Sequence, residues 1–86
     1  MHLQLTGKDL ELAVEVLRGA ISSGVSRPLS PAERLACRVL LPVVEKRLLV
    51  SFTDWVTRGN PMYRESNLES AVTAIEARVR ATLAGG

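Results

Sequence analysis

The chain has 86 residues, a net charge of +2 from eleven basic and nine acidic side chains, and 47% apolar residues. One small domain over residues 1–86 is the expectation, with a thin core helped by tight helix packing or self-association. The lone Cys37 and lone His2 exclude an internal disulfide and disfavour a structural metal site.

The first predicted helix covers about 7–23. Thr6 is placed to cap it, and Asp9 three residues on completes a capping box. Leu10, Ala13, Val14, Leu17, Ala20 and Ile21 follow helical spacing, while Lys8, Glu11, Glu15 and Arg18 share the other side. Gly24 ends the segment as a left-handed cap. Residues 25–29 form a linker stiffened by Pro28 and by Pro31 beyond it.

The second predicted helix covers 31–58. Ser30-Pro31-Ala32-Glu33 combines an N-cap serine, proline at the first helical position and glutamate at the third. Arg58-Gly59-Asn60-Pro61 is an equally clear stop. A continuous helix between them would be about 42 Å long. Pro42 lies inside it, where a proline costs about 3 kcal/mol. With no Gly, Asn or Asp nearby to make a turn, the favoured reading is one long, Pro-kinked helix. The alternative is that Pro42 starts a new helix. On a helical wheel the apolar face also swings: Arg34 and Arg38 hold one narrow side with Ala36, Val39, Leu40 and Leu41 spread around much of the remainder, and Leu48, Leu49, Phe52, Trp55 and Val56 then cover roughly the arc that the two arginines held. One half should therefore pack on the first helix, and the other on the third helix or a second subunit.

The third predicted helix covers 67–83. Ser66 and Glu69 form a capping box, Leu68, Ala71, Val72, Ile75, Val79 and Leu83 a narrow apolar stripe, and Glu76 and Arg80 an acid-first pair four residues apart. Ala74, Ala77 and Ala81 make a small-residue face. Residues 1–5 and 84–86 are expected to be mobile ends. The fold class is all-α: a small three-helix bundle with a long, kinked central helix, or four helices if Pro42 breaks it. The wide apolar girth of the middle segment motivates a homodimer, with Leu41, Val44, Leu48, Leu49 and Phe52 at the core or dimer interface.

Little in the chain points to chemistry. His2 has no positioned partner, and Cys37 sits among Leu35, Ala36, Val39 and Leu40 as a small hydrophobe would. Glu11 and Glu15 read as a solvated face. No phosphate loop, Ser/His/Asp set or ligand cluster is present. The expectation is a protein that is not an enzyme and uses no cofactor, metal or small-molecule substrate. No signal peptide is evident, and the apolar run from Leu35 to Phe52 contains Arg38, Glu45, Lys46 and Arg47, which a bilayer centre disfavours; a cytoplasmic protein is expected. Trp, Tyr and Arg dominate binding hot spots, so Trp55, Arg58, Met62, Tyr63 and Arg64 are the candidate partner-binding residues. The alternative for Phe52 and Trp55 is a place in the hydrophobic core. The function expected is protein–protein interaction, as a regulator, adaptor or inhibitor of the kind small helical proteins of bacteria and phages supply. The alternatives are a nucleic-acid-associated regulator, disfavoured by Glu69 and Glu76 on the third helix, and a subunit of a larger assembly.

Overall fold

Short apolar stripes separated by caps give four α-helices among the residues described, 6–59 and 65–85, in a computed structural model. They are α1 (Gly7–Ala20), α2 (Pro31–Leu40), α3 (Lys46–Arg58) and α4 (Glu65–Gly85), with a 3-10 turn at Ile21–Ser23. The description of side chains in α4 starts at Leu68. The first two capping boxes form as the sequence implies. Asp9 N–H donates to Thr6 Oγ1 at 3.2 Å, and Thr6 N–H donates to Asp9 Oδ2 at 2.9 Å. Glu33 N–H donates to Ser30 Oγ at 3.1 Å, and Ser30 N–H donates to Glu33 Oε1 at 2.8 Å. Each box satisfies backbone donors that an α-helix leaves unpaired at its start.

The long, kinked helix is not formed; Pro42 lies in a turn between two helices. Leu41 stays right-handed helical and its N–H donates to Cys37 O at 3.1 Å. Val43 and Val44 N–H then both donate to Leu40 O, at 3.0 and 2.9 Å. Glu45, with ψ at 131°, redirects the chain into α3. No residue in this turn takes a positive φ, so the turn needs no Gly, Asn or Asp. That is why their absence misled the sequence reading.

Two further boundaries differ from expectation. The helix of α4 already includes Glu65, which puts Ser66 inside it rather than at its cap, an offset ordinary at frayed ends; the Ser66 side chain lies outside the described residues. Ala84 and Gly85, expected as a mobile tail, are helical. The expectations for residues 1–5 and 86 lie outside the described residues.

The core draws on all four helices. Leu17, Leu40, Phe52, Val56, Leu68, Val72 and Ile75 are among its fully buried members. α1 packs on α2 and on α4, and α4 packs on α3. The two halves of the middle segment thus face different partners, as the swing of the apolar face implies. The linker is more ordered than its composition indicates. Ser26 and Arg27 N–H both donate to Val56 O near the end of α3, at 2.7 and 3.3 Å. Gly59, in the left-handed region at φ 58°, closes α3 against this loop, and a β-carbon there would run into Ser26 Oγ.

Candidate protein-docking groove

α2 and α3 follow one another in the chain but pack far less closely than α1 with α2, α1 with α4, or α3 with α4. Along the seam between them lies a shallow groove of about 220 Å³, lined by Cys37, Leu41, Lys46, Leu49, Val50, Thr53 and Asp54. Leu41 and Val50 stand open to solvent here, 52% and 47% exposed. Single exposed leucines and valines are ordinary on a protein surface, and Leu12 and Leu35 are such cases. Leu41 and Val50 differ because they share one concavity.

The walls follow from local structure. On α2 and its final turn, Cys37 and Leu41 are four residues apart and therefore on one face. On α3, Lys46, Val50, Thr53 and Asp54 repeat at three- and four-residue steps. Burial pushes the Cys37 thiol up from its ordinary range; the nearby Thr53 side chain opposes this in part, and the Glu33 carboxylate adds a smaller upward push. The thiol is protonated at neutral pH, which suits a small apolar wall rather than a nucleophile.

Three cations near the groove have no acid partner among the described residues. Arg34 and Arg38, one turn ahead of Cys37 and Leu41 on α2, are exposed, as is Lys46 on the groove wall. None of the three is in an ion pair among the described residues. Their neighbours differ: Arg47 is held by Glu45 at 2.6 Å, and Arg58 lies 3.8 Å from Asp54. α3 also begins at Glu45 without a side-chain cap, which leaves the positive end of its helix dipole at the Lys46 end of the groove.

The residues singled out by sequence scatter. Val44, Leu49 and Phe52 are buried within the one chain. Leu48 is half-buried against the same core, so of the five proposed for the core or dimer interface only Leu41 stands free. Trp55 is not available to a partner. It is 7% exposed, because α3 turns Leu49, Phe52, Trp55 and Val56 inward together. Its indole N–H is buried without a hydrogen-bond partner among the described residues. Arg58 is exposed; Met62, Tyr63 and Arg64 lie outside the described residues, as does His2. Glu11 and Glu15 border a second groove of about 280 Å³ between α1 and α4. Arg18 bridges to Glu76 there at 2.9 Å, and Arg80 stands 3.7 Å from Glu76, so opposite charges answer one another across that groove. Among the described residues, no group of three His, Cys, Asp or Glu side chains is placed to hold a metal, and no helix is long and apolar enough to cross a membrane.

The sequence reading missed this groove because its two halves were assigned to one helix. Exposed Leu41 beside Val50 could not be told from core until the turn at Pro42 set α2 and α3 side by side. Compared with known protein families, curated proteins and solved structures, the chain finds no match.

Proposed function

We propose that this chain is a non-enzymatic protein-binding module whose docking surface is the seam between α2 and α3. The observation that carries this reading is the pair Leu41 and Val50, exposed together in one groove while the rest of the apolar surface of α3 is largely buried or half-buried. An apolar centre with a polar, charged rim is the anatomy of a docking surface. The protonated thiol of Cys37 and, among the described residues, the lack of a metal-ligand cluster favour binding over catalysis. On α4, Glu76 engages Arg18 and Arg80, which leaves those arginines poorly placed for phosphate and weighs against the nucleic-acid alternative.

A photo-activated cross-linking residue introduced at position 41 or 50 tests the reading, with the same residue at exposed Leu12 as control. One discrete protein adduct from positions 41 and 50, absent at 12, is expected. The adduct partner, once purified, should bind the unmodified chain and fail to bind Leu41→Glu. Equal adducts from all three positions would sink the proposal.

A further inference from the structure

Resting on that reading, we infer that the groove takes an acidic amphipathic helix from a partner protein, with its apolar side chains seated between Leu41 and Val50 and its carboxylates turned to Arg38 and Lys46. The shape argues for a helix. Every wall residue belongs to α2, its terminal turn or α3, so no strand edge is on offer to an extended segment, and a helix laid into a helical groove buries its own apolar stripe without needing one. The charge argues for an acid. Arg34, Arg38 and Lys46 carry no ion-pair partner among the described residues, while the single wall carboxylate, Asp54, already faces Arg58 at 3.8 Å. The start of α3 carries Lys46 and Arg47 against the single carboxylate of Glu45, which Arg47 engages at 2.6 Å.

The same charges disfavour a second copy as occupant. A two-fold contact would set one groove against the other. Two copies would then bring the unpaired Arg34, Arg38 and Lys46 of both chains into one interface with, on the groove wall, only Asp54 of each to answer them, already 3.8 Å from Arg58, an excess of like charge that costs affinity. A partner with carboxylates at those places removes that repulsion and steers the encounter.

The test uses the full chain and two synthetic helical peptides with the same leucine stripe, one carrying glutamate and the other lysine at its polar positions. Amide NMR shifts are followed during titration. The glutamate peptide should shift Leu41, Lys46, Val50 and Thr53 saturably, and the lysine peptide should bind at least about tenfold more weakly. The double variant Arg38→Glu, Lys46→Glu should reverse the order; both residues are exposed and unpaired, and an unchanged thermal melt verifies the fold. Four results overturn the inference: equal affinity for both peptides, shifts confined to another surface, the same shifts produced by concentrating the protein alone, or duplex DNA or anionic vesicles engaging these residues in place of the glutamate peptide. A protein cross-linked at position 41 with no peptide preference would leave the docking module standing and remove its proposed acidic partner.

Discussion

Arg27 and Glu33 make the least exposed side-chain ion pair among the described residues. Arg27 Nη1 and Nη2 donate to Glu33 Oε1 and Oε2 at 2.7 and 2.8 Å, and Arg27 Nε donates to Gly24 O at 3.1 Å. Glu33 is only 5% exposed. The guanidinium, helped by the Ser30 N–H, outweighs the burial that would raise the carboxyl, and holds it at about 2 against an ordinary 4.5. Because the unfolded chain takes up this proton first, the pair's contribution is complete above about pH 5 and is lost as pH falls toward 2. The contribution is at most about 3 kcal/mol, reduced by solvent at the 24% exposed Arg27 side chain. Chemical denaturation between pH 6 and 2 should therefore show falling stability, with a shallower fall in Glu33→Gln. The slope should not vanish, because the Asp9 and Glu45 carboxyls are also lowered, by the Thr6 N–H and by Arg47 respectively. Arg27→Ala should raise the Glu33 carboxyl toward or above its ordinary value, read from its side-chain carbon shift during titration. At Gly59 the backbone is left-handed and Ser26 occupies the space of a β-carbon. Gly59→Ala should cost at least about 1 kcal/mol in a urea melt.

At the scale of the elements, Pro42 acts differently from a kink. Its missing N–H falls where the ladder is already changing from α2 into the turn, and the redirection is made three residues later at Glu45. Pro42→Ala should not fuse α2 and α3. Helical content by circular dichroism should stay the same, and stability should drop by about 0.4–1 kcal/mol because the unfolded chain gains freedom. A large rise in helicity would mean that proline alone separates the two helices. Ser30→Ala removes the acceptor for Glu33 N–H and should cost about 1 kcal/mol. It also loosens the geometry that presents Glu33 to Arg27, so its effect and that of Arg27→Ala should be non-additive.

For the whole molecule, the decisive fact is that α2 packs on α1 and α3 on α4, which leaves the seam between α2 and α3 open. Phe52, fully buried among the core residues of the one chain, should cost about 3–5 kcal/mol when cut to alanine. Leu41→Ala and Val50→Ala should cost little stability and should weaken docking instead. Most of the apolar width that motivated a homodimer, including Val44, Leu49 and Phe52, is buried within the same chain, so the melting temperature should not vary over a hundredfold or so range of protein concentration. A melting temperature that climbs with concentration would show that a second copy shares the core.

The sequence by itself determined the all-α class, the starts of α1 and α2, the stop at Gly59, and the division of the middle segment between two packing partners. These are local matters: a capping box closes within three residues, and helical periodicity is read over two or three turns. The tertiary structure alone decided the rest. Trp55 went to the core because α3 met α4; Arg27 found Glu33 because the linker folded onto the end of α3; and Leu41 stayed in water because α2 and α3 were each drawn to another helix. Each of these depends on which surfaces meet across the molecule, and an apolar stripe records that it must be covered without recording by what.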